Sequence, residues 1–163
     1  MRHLMILRHA KSSWADGNLS DHERPLNQRG RRASGAMGRF MAGRDLLPDF
    51  VISSDSARTR ETVALWSEAA GWDGDVDFRP ELYHASAEEL LVAARAAPDT
   101  SGRIMLVAHN PGIEEFVSRA AGRHLEMPTG TLAGFGVDCS TWSQVDPEAM
   151  NLSIHQRPRE LSD

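Results

Sequence analysis

Two histidines, His9 and His109, each follow an apolar run and stand among residues suited to holding an anion. The first run leads into Leu7-Arg8-His9-Ala10-Lys11-Ser12-Ser13, the other into Ala108-His109-Asn110-Pro111-Gly112. Between them, Phe50-Val51-Ile52 leads into Ser53-Ser54-Asp55-Ser56-Ala57-Arg58-Thr59-Arg60-Glu61-Thr62. A neutral imidazole can serve as a nucleophile or a base near physiological pH. A guanidinium grips phosphate oxygens in pairs. If the three runs are neighbouring parallel strands, Arg8, His9, Arg58 and His109 converge on one sheet edge. Such a cationic cup suits a tetrahedral phosphoryl group.

None of these residues is decisive alone. A histidine after a strand is ordinarily a surface or satisfied strand-end residue. Arg58 is more telling. It falls in the first turn of a helix, where the macrodipole disfavours a cation, so a bound anion would account for it. Arg60 and Glu61 read as solvent-facing neighbours. His3, His22, His84, His124 and His155 lack metal-ligand spacing, so no metal is expected. Arg29, Arg31 and Arg32 read as a solvated face at a helix start, with an acidic protein partner as the lesser alternative.

The elements that must position these residues alternate between strand and helix. Leu4–Leu7 reads as a buried strand. Asn27 caps a helix running to about Gly43, with Gly30, Ala33, Met37, Phe40 and Met41 on one face. Phe50–Ile52 is a second strand, followed by a helix from about Ser56 to Ala70 that Gly71 ends. Ser86 and Glu89 form a capping box for a helix through Ala97. Ile104–Ala108 is the clearest buried strand, and Asn110 and Pro111 suit the cap and first turn of the next helix. Further strands are expected near Leu132–Val137 and Asn151–His155. This alternation implies an α/β fold with a mostly parallel sheet, whose ligands bind at the carboxyl ends of the strands.

At 163 residues, one domain over 1–163 is expected, with room for a core that needs no staples. A net charge of −5 argues against general nucleic-acid affinity. Cys139 is the single cysteine, so no intrachain disulfide can form. No apolar run approaches membrane-spanning length, and a cytoplasmic protein is expected.

Taken together, these segments resemble the histidine phosphatase, or phosphoglycerate mutase-like, superfamily. Its strand-Arg-His-Ala signature is matched by Leu7-Arg8-His9-Ala10. Its Ser-x-x-x-Arg-Thr-x-x-Thr pattern is matched by Ser54 through Thr62, and its strand-end histidine by His109. Arg8-His9-Ala10-Lys11-Ser12, Asp21-His22-Glu23-Arg24-Pro25-Leu26 and Ala108-His109-Asn110-Pro111-Gly112 are most similar to the SixA branch of phosphohistidine phosphatases. Thr62 and His109 are 47 positions apart, and the larger insertions that lid the pocket in mutases and acid phosphatases are missing there.

The resemblance implies a three-layer α/β/α sandwich. It also implies that His9 takes up a phosphoryl group, which water then removes. Arg8, Arg58 and His109 would neutralise the phosphoryl oxygens, with Ser12, Lys11 and Asp21 as further binding residues. No cofactor is implied. The general acid is open. Asn110 stands where some members have Asp, which leaves Glu81, Asp21 or no acid at all. The expected partner is a phosphorylated protein carrying phosphohistidine, or a small phosphoester. Two rivals stay open: a metal-independent acid–base phosphodiesterase, and a non-catalytic phosphate-binding module.

Overall fold

A computed structural model describes residues 1–161. Among these, six strands form one sheet with four α-helices packed on it. The strands are β1 (Arg2–Arg8), β2 (Phe50–Ser54), β3 (Asp75–Arg79), β4 (Arg103–Ala108), β5 (Leu132–Val137) and β6 (Met150–Gln156). The helices are α1 (Gln28–Gly43), α2 (Ala57–Ala70), α3 (Ala87–Arg95) and α4 (Gly112–Ala121). The sheet order is β3-β2-β4-β1-β5-β6. The pairs β2–β3, β2–β4 and β1–β4 are parallel, and β5 and β6 add an antiparallel edge.

Alternation along the central strands divides the core. Leu4, Ile6, Ile104 and Leu106 point into a cluster with Leu90, Ile113, Phe116 and Phe135, beneath α3 and α4. Met5, Leu7, Met105 and Val107 point the other way, onto Met37 and Met41 of α1 and Val63 and Trp66 of α2. Strands buried on both faces are expected for the centre of a parallel sheet, and they explain the unbroken apolar runs. The result is a three-layer α/β/α sandwich with a mostly parallel sheet.

Local chemistry explains most element boundaries. Asn27 accepts from the Gly30 N–H at 2.8 Å and starts α1. Ser86 and Glu89 form a reciprocal capping box ahead of α3. Gly71 and Gly122 take left-handed conformations at the ends of α2 and α4. Some expected boundaries shift. α3 ends at Arg95, two residues before Ala97, where the Ala96 N–H is shared between the Val92 and Ala93 carbonyls and the Ala97 N–H reaches back only three residues, to Ala94. The cap position of α4 falls on Pro111, although Asn110 Oδ1 still accepts from the Glu114 N–H.

β3 is the element that periodicity misses. Its Asp-Val-Asp-Phe-Arg sequence is half-buried and borders the sheet edge, so it lacks the apolar run of an inner strand.

Topology places the site. β1 and β4 are adjacent, yet β1 leads into α1 on one face of the sheet and β4 into α4 on the other. The crevice this opens at their carboxyl ends is where doubly wound sheets bind ligands. His9 and His109 are the first residues beyond those two strands.

Candidate active site

The His9 and His109 ring centroids lie 5.0 Å apart at the floor of an open cleft of about 540 Å³. Arg8, Lys11, Ser12, Asp21 and Arg58 line the same cleft. The chain thus brings together all but one of the residues selected from sequence. Glu81 is the exception. It is exposed on the one-turn helix after β3 and is not among the residues that line the cleft. The turn that carries it delivers His84 to the cleft instead, in a left-handed conformation with φ of 62°.

His9 is held by its backbone and by one hydrogen bond. Its Nδ1 lies 2.7 Å from the Ala10 carbonyl oxygen. Only an N–H can pair with that oxygen, so Nδ1 carries the proton and Nε2 keeps its lone pair. The Ala10 N–H donates to Thr62 Oγ1 at 3.1 Å, so the last residue of the Ser54–Thr62 motif pins the turn beside His9. The turn is also tied to α1. Asn27 N–H donates to the Lys11 carbonyl at 3.0 Å, and a Cβ on Gly30 would sit 2.1 Å from that same oxygen. Only glycine permits this approach.

Burial pushes the His9 pKa down to about 3, reinforced by the charges of Arg58, Arg8 and Arg24. Burial and the neighbouring His9, Arg58 and His84 take His109 down to about 2. Both rings are therefore neutral at physiological pH. His109 Nε2 lies 2.8 Å from Ser54 Oγ, the first residue of the same motif, and its Nδ1 has no protein partner among the described residues.

Arg58 is the second residue of α2 and is almost fully buried. Its Nε points at His9 Nε2 at 3.4 Å, while Nη1 donates to the Asp21 carbonyl at 2.7 Å and Nη2 to Asp21 Oδ2 at 3.1 Å. A cation in the first turn thus has an internal counter-ion as well as room for an external one, which sequence reasoning did not foresee.

Asp21 also accepts from Arg24 Nε at 3.1 Å and from the Tyr83 hydroxyl. The Tyr83 hydrogen bond, with the two guanidiniums, holds its carboxyl far below the usual carboxylate range. Arg24, overlooked as a site residue, is buried and donates to Ser12 Oγ at 2.7 Å. The exposed Trp14 indole lies 3.5 Å above the Arg24 guanidinium at the cleft rim. An aspartate three residues before the arginine was the available signal for this pair. Glu61 is no mere surface neighbour either. It accepts from the Leu26 N–H at 2.8 Å and pairs with Arg31, so it anchors the segment leading into α1.

The model for the histidine phosphatase superfamily (branch 1) matches residues 4–90, more than half of the chain. The chain belongs to the histidine phosphatase superfamily. A chloroplastic Arabidopsis thaliana protein is 33% identical over 153 residues, covering 88% of this chain and 70% of the relative. Two solved structures assigned as SixA phosphohistidine phosphatases share the whole histidine phosphatase fold seen here. The Agrobacterium tumefaciens protein is 28% identical with a TM-score of 0.81, covering 96% of this chain and 98% of that one. The Nakamurella multipartitia protein is 29% identical with a TM-score of 0.83, covering 96% of each chain. Membership makes this a phosphatase fold of the hydrolase class. No helix among the described residues is long and apolar enough to cross a membrane.

The buried neutral histidines predict how stability depends on pH. Unfolding restores the ordinary histidine value of 6.5. Between that value and the folded values of about 3 and about 2, the unfolded chain binds more protons. Stability is therefore complete above 6.5 and is lost as pH falls below it. Asp21 adds a loss in the same direction below its ordinary value of 3.8. Urea unfolding midpoints should fall steadily from about pH 7.5 to about pH 4.5. A flat midpoint across that range would contradict the assigned protonation states.

Proposed function

We propose that the protein hydrolyses phosphohistidine on a protein substrate through a phosphoryl group carried transiently on His9. His9 Nε2 attacks phosphorus in line, and the P–N bond of the substrate breaks as its ring, already protonated on the other nitrogen, leaves as neutral imidazole. Water then attacks phosphorus on His9, releasing inorganic phosphate and the free ring. Arg8 and Arg58 bind the phosphoryl oxygens, with Lys11 and Ser12 as supporting donors. If Ser54 donates to Nε2 of His109, the Nδ1–H of that ring is free to reach the same oxygens.

One observation supports phosphohistidine over a phosphate ester. Asp21 is the sole carboxylate among the described residues lining the cleft, and two guanidiniums and a tyrosine hold it ionised. It stores no proton for a poor leaving group. An alkoxide needs that proton, whereas an imidazole leaving group needs less acid help. Asp21 then positions Arg58 and Arg24 rather than acting as an acid. Glu81 lies outside the lining, so Glu81→Gln should retain turnover within about twofold of wild type, well short of a general acid's usual contribution. A loss of a hundredfold or more would restore Glu81 as the acid.

The acid–base phosphodiesterase reading fits less well, because it requires one imidazolium as the acid and both His9 and His109 are neutral imidazoles at neutral pH. The test compares kcat/KM on a phosphohistidine phosphocarrier protein with that on p-nitrophenyl phosphate. The phosphocarrier should be preferred by at least about tenfold, or roughly 1.4 kcal/mol in transition-state binding. Equal values, or preference for the ester, would overturn the substrate assignment.

A further inference from the structure

A second cavity, of about 470 Å³, adjoins the cleft and shares Lys11 and Thr129 with it as a common wall. Five cationic side chains line it: Lys11, Arg29, Arg32, Arg157 and Arg159. They come from three separate segments: the turn after β1, the first turns of α1, and the chain after β6. No carboxylate is among its lining residues within the described chain. The sequence cluster Arg29-Arg31-Arg32 is thereby split. Arg31 turns to Glu61, while Arg29 and Arg32 share a face three residues apart and look into the cavity.

Such an arrangement works against folding. Like charges at that helical spacing repel, and the first turn of α1 contains no acidic residue to offset them. The whole chain carries a net charge of −5, so this concentration of cations does not follow from composition. A bound anion would offset the repulsion, and the shared wall means that the molecule whose phosphoryl group enters the cleft can supply it.

We infer that this cavity is a specificity subsite for carboxylate side chains flanking the phosphohistidine of a protein substrate. The inference rests on the phosphohistidine reading for its substrate class. A phosphorylated side chain seated at His9 lays its flanking chain across Lys11 and Thr129, and glutamate or aspartate there meets Arg29, Arg32 and Arg159. The shallow, solvent-open cationic lining recognises charge rather than a unique side-chain shape.

Two labelled peptides test this by fluorescence anisotropy. Both carry a non-hydrolysable phosphonate analogue of phosphohistidine, one flanked by glutamates and the other by glutamines. Wild type should bind the glutamate peptide about tenfold more tightly, the expected sum of a few exposed ion pairs. Arg29→Gln, Arg32→Gln and Arg159→Gln combined should level the two affinities. The wild-type preference should also shrink at high salt, a readout independent of how the variant folds. Equal wild-type affinities, a preference that survives in the folded triple variant, or one insensitive to salt would overturn the subsite. Hydrolysis of the matching phosphohistidine peptides separates the two proposals. Preference without hydrolysis would sink the phosphohistidine reading and leave the charge subsite standing, whereas hydrolysis without preference would do the reverse.

Discussion

Replacing His9 with alanine should lower kcat on any phosphoryl substrate by at least about 10⁴-fold, the scale seen when a covalent nucleophile is removed. The effect should appear in kcat, because Arg8, Arg58 and His109 remain to bind phosphate. The fold should survive. His9 makes one side-chain hydrogen bond, to the Ala10 carbonyl, and receives one long contact from Arg58. Alanine also removes a buried imidazole that must stay neutral, so the acid sensitivity described above should lessen in this variant. An enzyme that loses turnover while gaining acid stability would connect both effects to the same ring. Retention of more than about a hundredth of wild-type kcat would show that another group accepts the phosphoryl.

Arg58→Ala carries the next largest effect. Arg58 is buried, faces His9 Nε2 and is tied to Asp21 through both terminal nitrogens. Removing it takes away a donor placed where negative charge builds on the transferring phosphoryl group, worth roughly 10²- to 10³-fold in kcat/KM. It also takes one of two guanidiniums from Asp21, whose carboxylate, still held by Arg24 and Tyr83, would then be less neutralised and repel the substrate. Arg58→Lys should recover only part of the loss, since an ammonium keeps the charge but not the planar fork that holds Asp21 and phosphate together. Steady-state kinetics on p-nitrophenyl phosphate measures both variants. Full recovery by lysine would mean that charge alone matters and the geometry does not.

These two residues show how far a single sequence can be read. His9, Arg58 and His109 were legible because each follows an apolar run, and a parallel sheet gathers strand ends onto one edge. β1 and β4 were legible because burial on both faces leaves unbroken apolar runs at Leu4–Leu7 and Ile104–Ala108. β3 was not, since an edge strand needs no such run, and its charged residues mimic a loop. Glu81 was misplaced for a related reason. The position of a carboxylate after an unrecognised strand depends on how that strand ends, and Pro80 opens a one-turn helix that leaves Glu81 exposed. Arg24 and Asp21 were hard to rank because their importance lies in a shared network. Asp21 reaches Arg24 locally, but its contacts with Arg58 and Tyr83 span 37 and 62 positions. No spacing rule reports such distances.

The Ser54–Thr62 motif gains most from the structure. Read from sequence, it was a pattern around one arginine. In the fold, Ser54 holds His109 Nε2, Arg58 faces His9, and Thr62 fixes the turn beside His9. One strand end and two turns of helix thus set both imidazoles and the guanidinium between them. Substitutions at Ser54 and Thr62 act through those rings rather than on substrate.

The whole mechanism depends on His9 Nε2 accepting the phosphoryl group. The direct measurement is rapid mixing of enzyme with a radiolabelled phosphohistidine phosphocarrier, an alkaline quench, and mapping of the labelled residue. An acid-labile, alkali-stable label should appear on His9 alone, linked through Nε2 and absent from His9→Ala. Label on His109 or His84, or turnover without any enzyme-bound label, would contradict that mechanism.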